Sequence, residues 1–241
     1  MSLILSTRGL SKSFQGLRAV HEVDFDLPQH QVRALIGPNG AGKTTFVSML
    51  IGRLAASAGR ICFDGRDVTD MPAHARVALG MAYTFQITSV FARLSAHENV
   101  ALAARRHLGA DQDAVEAEVQ EALGRTGLAD RADALAQDLS YGHQRLLEIA
   151  MGLAQRPRLM ILDEPTQGLA EGEIAAFKAL IRDLARDTTI LLIEHNMAVV
   201  MELADRITVL NFGEILAEGT PAEIHADARV QAAYLGSGGD D

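Results

Sequence analysis

The sequence has little of what marks secreted or membrane-spanning proteins. Cys62 is the single cysteine among 241 residues, so no internal disulfide can form, and its position between Ile61 and Phe63 predicts a buried core residue. No apolar run approaches the ~18 residues needed to cross a bilayer. The N-terminal stretch, Met-Ser-Leu-Ile-Leu, lacks the basic region and cleavage site of a signal peptide. A cytoplasmic protein is therefore expected.

Positive charge is also scarce. The chain has 22 Lys and Arg residues against 31 Asp and Glu residues, a formal net charge of −9. General nucleic-acid binding requires a basic surface, so we expect no nucleic-acid partner. Apolar residues make up 48% of the chain, which is enough for the core of one large domain.

One short segment concentrates glycine and a cation. Residues 37–45 read G-P-N-G-A-G-K-T-T, between an apolar stretch typical of a buried strand and an apolar stretch that can form a helix. Backbone N–H groups of such a turn form an anion nest, and the helix N-terminus adds partial positive charge. An ordinary glycine turn would leave the lysine and threonine unexplained, whereas the P-loop pattern G-x-x-x-x-G-K-[ST] explains both. The predicted phosphate-binding residues are Gly37, Pro38, Asn39, Gly40, Ala41, Gly42, Lys43, Thr44 and Thr45.

Strand and helix patterns alternate along most of the chain. Residues 3–10 and 19–27 read as antiparallel strands, and residues 59–65 carry a hairpin signal. Residues 87–157 are rich in Ala, Glu, Leu and Arg and predict a helical subdomain, after which strands and helices alternate again. This predicts an α/β fold with a mostly parallel sheet, helices on both faces and a ligand at the carboxyl ends of the strands.

Acidic residues and a histidine follow two of the predicted strands. Asp163 and Glu164 end the apolar strand 159–162; Asp163 could hold Mg²⁺ with Thr44, and Glu164 could polarise an attacking water. A strand followed by an acidic loop is the plain alternative. His195 ends the next strand and could contact a γ-phosphate, although a lone histidine is more often structural.

Further candidate site residues gain their support from the P-loop and the strand-end acids. Gln86 follows a strand and could sense the metal or the water, or be a solvated amide. Ser140 and Gly142 begin a helix and suggest a second anion site, with Ser140 as the N-cap. Phe14 follows the first strand and could stack on an adenine ring or belong to the core.

This set of motifs, in this order, resembles the ATP-binding cassette (ABC) ATPases from Leu3 to about Gly236. The matching features are the P-loop, Gln86, the signature at 139–144, the strand-end acids with the turn 165–170, and His195. Within the family the chain is similar to the ATPases of branched-chain amino-acid-type importers, through Thr-Phe-Gln at 84–86, Leu-Ser-Tyr-Gly at 139–142, 192–197 and Ala-Tyr-Leu-Gly at 233–236. It departs from the common pattern at Tyr141, His143 and Ala170, where Gly, Gln and Asp are usual.

The resemblance implies a P-loop nucleotide hydrolase core, residues 1–86 and 158–236, with an N-terminal antiparallel β subdomain, an inserted helical subdomain at 87–157 and a tail at 237–241. It implies binding of ATP and Mg²⁺. The implied catalytic residues are Glu164, His195, Gln86 and Lys43. Thr44, Gln86 and Asp163 are the implied metal ligands, and Phe14, Ser140 and Gly142 join the P-loop in binding ATP.

The resemblance also implies partners. Two cassette chains, identical or similar, would pair head to tail, with Ser140 and Gly142 of one facing the P-loop of the other. The chain would sit at the cytoplasmic face of the cell membrane and drive transmembrane permease subunits, with a periplasmic or extracellular solute-binding protein acting indirectly. Residues 87–94 could receive a permease helix or pack inside the helical subdomain. The cargo would be branched-chain amino acids, urea, short amides or aromatic acids. A cassette protein with a role outside transport and a P-loop kinase are the alternatives.

Overall fold

The computed structural model describes residues 2–84 and 89–235. The first sheet is antiparallel and contains β1 (Leu3–Phe14), β2 (Leu17–Pro28), β4 (Ala58–Phe63) and β5 (Arg66–Asp67) in the order β2-β1-β4-β5. The predicted N-terminal β subdomain is therefore present, and the hairpin predicted at 59–65 is part of it.

The second sheet forms the centre of the molecule. Its strands are β3 (Val32–Ile36), β6 (Met81–Thr84), β7 (Leu159–Asp163), β8 (Thr189–Ile193), β9 (Arg206–Asn211) and β10 (Glu214–Gly219), in the order β10-β9-β3-β8-β7-β6. β10 runs antiparallel to β9, and the other neighbours are parallel. Every residue of β3, β7 and β8 is buried, as expected for parallel strands covered on both faces. The carboxyl ends of these three strands meet at one edge, where ligands bind in such sheets.

The helices follow the predicted distribution. They are α1 (Lys43–Leu50), α2 (Ala73–Ala78), α3 (Ala96–Leu108), α4 (Gln112–Arg125), α5 (Tyr141–Leu153), α6 (Glu171–Leu184), α7 (Met197–Leu203), α8 (Pro221–Ala226) and α9 (Ala228–Leu235). α3, α4 and α5 lie between β6 and β7, in the segment expected to be helical. Short 3₁₀ turns at Ala129–Arg131 and Ala136–Asp138 connect α4 to α5.

The two faces of the central sheet pack against different layers. Ile190 and Leu192 face a core shared with α3 to α7, while Leu191 and Ile193 point to the opposite face, because successive side chains of a strand alternate. That opposite face is covered by α1 together with the antiparallel sheet, where Phe25 and Phe46 meet edge to face at 5.7 Å. Helices therefore cover both faces, as expected, and the β subdomain supplies the rest of the layer that contains α1.

A buried arginine anchors the helix that follows the P-loop. Arg76 of α2 is 2% exposed, and it donates 2.7 Å hydrogen bonds to the carbonyls of Met49 and Leu50 at the end of α1. Carbonyls at a helix C-terminus have no partner within the helix, so Arg76 satisfies them and fixes the far end of α1.

One sequence expectation concerns the burial of Cys62, and another concerns membrane-spanning helices. Cys62 is half-buried rather than fully buried, because β4 packs only one face against the core. Within residues 2–84 and 89–235, no helix is long and apolar enough to cross a membrane.

Candidate active site

The P-loop connects β3 to α1, and two of its glycines are required by their surroundings. Gly42 is the N-cap of α1 with a φ of 99°, a conformation that favours glycine. A Cβ on Gly37 would lie 2.1 Å from the carbonyl oxygen of Leu210 in β9. The loop therefore packs directly against backbone, which fixes the direction of its N–H groups.

Lys43 lies at the start of α1 and is 7% exposed. Its ammonium group donates to the carbonyl oxygens of Gly37 at 2.6 Å and of Pro38 at 3.0 Å. Burial lowers the pKa of Lys43, and the charges of Glu164 and Asp163 oppose this shift. A cation is thus held inside the turn and close to both strand-end acids.

Asp163 ends β7 and is also 7% exposed. It accepts a 2.6 Å hydrogen bond from the hydroxyl of Tyr83 on the neighbouring strand β6. Burial raises the pKa of Asp163, and the Tyr83 bond opposes that shift; burial and the same bond raise the pKa of Tyr83. Sequence reasoning did not single out Tyr83. The signal available was a tyrosine in an apolar strand, since a buried phenol usually has a hydrogen-bond partner.

Glu164 adopts an unusual backbone conformation and contacts His195. Its φ is 48°, the left-handed region that costs energy for a residue other than glycine. Its N–H donates to the Ile193 carbonyl at 2.9 Å, which holds the turn against β8. The Glu164 Oε1 and His195 Nε2 atoms are 2.7 Å apart, so the predicted acid and histidine lie side by side.

Glu194 is a buried connector that the sequence analysis missed. It is 3% exposed and accepts hydrogen bonds from the backbone N–H groups of Thr166 at 2.9 Å, His195 at 2.9 Å and Asn196 at 3.1 Å, and from the Thr166 hydroxyl. The loops after β7 and β8 are thereby tied to one carboxylate. The sequence signal was an acid directly after an apolar strand, beside His195.

A cavity of about 350 Å³ opens in front of the P-loop. Its lining residues are Leu17, Arg18, Ala19, Asn39, Gly40, Ala41, Gly42, Lys43, Thr44, Thr45, Glu164, His195 and Phe212. Most predicted P-loop residues, with Glu164 and His195, therefore share one cavity, whereas Gly37 and Pro38 do not line it. Phe14 does not line it; the Lys12 ammonium lies 5.2 Å from the centre of the Phe14 ring. Gln86 lies outside the described residues.

Ser140 and Gly142 lie elsewhere, at the start of α5. Ser140 is the N-cap, as expected: its Oγ accepts from the His143 N–H at 3.2 Å and lies 2.9 Å from His143 Nδ1. A Cβ on Gly142 would lie 2.1 Å from Oε1 of Glu173 in α6. Gly142 lines a separate cavity between α5 and α6, so one chain does not bring this motif to its own P-loop.

Another cavity, of about 440 Å³, lies at the amino-terminal edge of the central sheet. Charged pairs line it, including Glu118 with Arg156 at 2.6 Å and Arg125 with Asp187 at 3.0 Å. Since ligands in this class of sheet bind at the carboxyl ends of the strands, the P-loop cavity is the candidate active site.

Comparison with known proteins agrees with this geometry. Residues 20–167 match the family model of the ABC transporters, and residues 214–240 match a model described as the branched-chain amino acid ATP-binding cassette transporter. The chain belongs to the ABC transporter family. It is therefore an ATP-binding and ATP-hydrolysing subunit of such a transporter rather than a cassette protein with a role outside transport.

The relatives include transport subunits of two kinds. The high-affinity branched-chain amino acid transport ATP-binding protein BraF of Pseudomonas aeruginosa is 39% identical, with 97% of this chain and 98% of BraF covered. The lipopolysaccharide export system ATP-binding protein LptB of Haemophilus influenzae is 34% identical, with 97% of each chain covered. Among solved structures, the ADP conformation of MJ1267, an ATP-binding cassette of an ABC transporter, has a TM-score of 0.86 at 26% identity and covers 98% of this chain and 99% of its own.

Proposed function

We propose that the chain hydrolyses ATP in the P-loop cavity and thereby drives import of a branched-chain amino acid or a related small polar solute. The observation that carries the proposal is the contact between Glu164 and His195 beside Lys43. A carboxylate within reach of a phosphate site can act as the base, and a histidine hydrogen-bonded to the carboxylate can orient that carboxylate.

The phosphates would bind to the N–H groups of the P-loop and to Lys43. The Lys43 ammonium would exchange its bonds to the Gly37 and Pro38 carbonyls for bonds to phosphate oxygens. Glu164 would accept a proton from water as that water attacks the γ-phosphorus, giving ADP and inorganic phosphate. Preorganised charge at the phosphoryl group supplies much of the rate enhancement in such reactions.

The residues present fit Mg²⁺, which prefers oxygen ligands and is usually held by one or two protein groups together with substrate phosphates. Thr44 is exposed and lines the cavity, and the Asp163 carboxylate lies near Lys43. These two residues would hold the ion, with Gln86 proposed as a further ligand. Bound Mg²⁺ would neutralise charge that develops on the phosphates.

We further propose that two cassette chains complete each site. Ser140 and Gly142 begin α5, away from the P-loop cavity, and Ser140 is exposed. A head-to-tail pair would bring the free N–H groups of one α5 N-terminus to the nucleotide on the other chain. A two-fold interface of this kind would create two such sites at once.

Phe91 supports a contact with the permease. The residue is 55% exposed. Its backbone is fixed by the buried Asn99, whose side chain accepts from the Phe91 N–H at 2.7 Å and donates to the Phe91 carbonyl at 3.1 Å. An apolar ring on a fixed turn favours contact with another chain over packing inside the helical subdomain; Ile87 and Thr88 of the same predicted segment lie outside the described residues. The chain would then lie at the cytoplasmic face of the membrane, with a solute-binding protein acting from the other side.

The C-terminal match at residues 214–240 favours an amino acid as cargo over the lipopolysaccharide of the LptB relatives. The test is uptake of labelled leucine, urea, acetamide and benzoate by cells in which the gene is deleted. We expect leucine uptake to fall to background and to return with the wild-type chain but not with the Glu164→Gln variant. Unchanged uptake of leucine, together with lost uptake of another solute, would contradict an amino acid as the cargo. It would leave the ATPase role intact.

A further inference from the structure

Tyr83 places a hydroxyl group in the layer between the central sheet and α1. Its strand, β6, lies at one end of the sheet and pairs in parallel with β7, with Tyr83 opposite Ile161. Tyr83 packs against the same core as Ile161 and Phe46 of α1. Asp163 lies two residues after Ile161, and side chains two apart in a strand share a face. The Tyr83 hydroxyl and the Asp163 carboxylate therefore meet on the side of the sheet that α1 covers.

The contact between these two groups is direct. The Tyr83 hydroxyl donates to Asp163 Oδ2 at 2.6 Å, and Asp163 is 7% exposed. The terminal torsion of an aspartate side chain is broad, so a carboxylate without such a donor can rotate. The Tyr83 bond engages Oδ2 and thereby fixes the plane of the carboxylate. The direction in which Oδ1 points is thus set by a residue of the neighbouring strand.

Packing alone does not require the hydroxyl of Tyr83. A phenylalanine would fill nearly the same space, and a buried phenol loses its hydrogen bonds to water and regains only what its protein partner supplies. The partner here is Asp163, on which the charges of Glu164 and Lys43 also act. Glu164 and Lys43 line the P-loop cavity, so the Tyr83 bond acts on a carboxylate at the candidate active site.

We propose that Tyr83 is a positioning residue that orients the Asp163 carboxylate for the metal ion of the nucleotide and thereby favours Mg²⁺ over Ca²⁺. This rests on the proposed function, in which Thr44 and Asp163 hold Mg²⁺. Mg²⁺ demands near-ideal octahedral geometry, whereas Ca²⁺ accepts flexible geometries and more oxygen ligands. A carboxylate with a fixed plane meets the stricter demand, whether it binds the ion or a water of its shell. A carboxylate that can rotate serves Ca²⁺ nearly as well.

The test titrates Mg²⁺ or Ca²⁺ into chain that is loaded with ADP and freed of excess nucleotide, and calorimetry measures both affinities. In Tyr83→Phe, ADP affinity without metal should stay as in wild type, because the P-loop and Lys43 are unchanged. Mg²⁺ affinity should fall about tenfold, the lower end of what the loss of a partner of a metal ligand costs, and Ca²⁺ affinity should fall much less. Tyr141→Phe is the matched control, because it also removes a tyrosine hydroxyl but outside the P-loop cavity; both affinities should stay as in wild type.

A second variant separates this proposal from the metal site itself. Asp163→Asn removes the charge of the carboxylate, so it should weaken the binding of both ions. Unchanged Mg²⁺ affinity in Asp163→Asn would remove Asp163 from the metal site and contradict that part of the proposed function.

Where Asp163→Asn does weaken Mg²⁺ binding, the outcome for Tyr83→Phe decides the role of the hydroxyl. Equal losses of Mg²⁺ and Ca²⁺ affinity would overturn the orienting role. A lower melting temperature with both affinities retained would make the hydroxyl purely structural, and that result would overturn the proposal as well. A tenfold loss for Mg²⁺ that spares Ca²⁺, at unchanged ADP affinity, is the result that supports it.

Discussion

At the scale of single residues, two adjacent acids have different surroundings. Asp163 is buried and accepts from Tyr83, whereas the side chain of Glu164 is 16% exposed and contacts His195. The left-handed φ of Glu164 redirects the chain directly after β7. Neighbouring carboxylates can take separate roles when their environments differ, which here favours Asp163 as a ligand and Glu164 as the base.

Glu164→Gln tests that division. The amide keeps the size of the carboxylate but cannot accept the proton, so hydrolysis should fall by ~10²–10⁴-fold, the usual worth of general acid–base catalysis. ATP should still bind, because Lys43, Thr44 and Asp163 are unchanged. Phosphate release and calorimetry measure the two effects. Turnover at the wild-type rate would remove Glu164 from the mechanism.

Glu194→Gln tests the connector between the loops that follow β7 and β8. The carboxylate accepts from three backbone N–H groups, and a glutamine has only one acceptor oxygen to offer. Buried donors would lose their partner, at a cost of about 1–3 kcal/mol, and hydrolysis should fall as Glu164 and His195 lose their alignment. A thermal melt and phosphate release check this, with the exposed Glu171→Gln as control. Full activity at lowered stability would make Glu194 purely structural.

At the scale of elements, the helix starts are capped unequally. α3 and α8 have complete capping boxes, with Ser95 and Thr220 as the caps. α6 begins after Ala170, which has no acceptor, although Glu173 reaches back to the Ala170 N–H at 2.9 Å. The start of α6 therefore has half of a capping box. Glu173 accepts from the N-cap backbone, but the N-cap residue has no side-chain acceptor.

Ala170→Ser should supply the missing half. A side-chain acceptor at an N-cap contributes about 1 kcal/mol relative to alanine, and for a chain of this size that raises the melting temperature by roughly 2–4 °C. Ser95→Ala, the reverse change at α3, should lower it by a similar amount. A thermal melt of both variants measures this. No gain in Ala170→Ser, with the expected loss in Ser95→Ala, would show that Glu173 alone satisfies this helix start.

How far the sequence predicts the elements depends on the range of the contacts. The P-loop and the strand-end acids follow from spacing within a few residues, and the antiparallel sheet follows from alternation. Tyr83 and Glu194 escape such reasoning because their partners, Asp163 and Thr166, lie 80 and 28 residues away along the chain. Phe212 escapes such reasoning because only the folded chain places the β9–β10 hairpin beside Ala41. Local patterns thus indicate elements and the ligand-binding edge, while contacts between strand ends need the fold.

At the scale of the whole molecule, the separation of the P-loop from Ser140 leads to a test of pairing. In the Glu164→Gln background, ATP should stay bound between two chains, so light scattering should show the mass doubling from 25.8 kDa. Adding Ser140→Arg should abolish this, because a bulky side chain would replace the N-cap that we propose to bind the phosphate. Ser95→Arg removes an N-cap from α3 instead, and it should leave pairing intact.

Mixing two defective chains makes the test specific for a head-to-tail arrangement. One chain carries Glu164→Gln with Ser140→Arg, and the other carries Glu164→Gln with Lys43→Ala; neither should pair with itself. Together they contain one intact site, formed by Lys43 of the first chain and Ser140 of the second, so ATP should restore a dimer. A mixture that stays monomeric while the Glu164→Gln parent pairs would contradict this arrangement. A parent that stays monomeric with ATP bound would instead indicate that the partner is a different cassette chain.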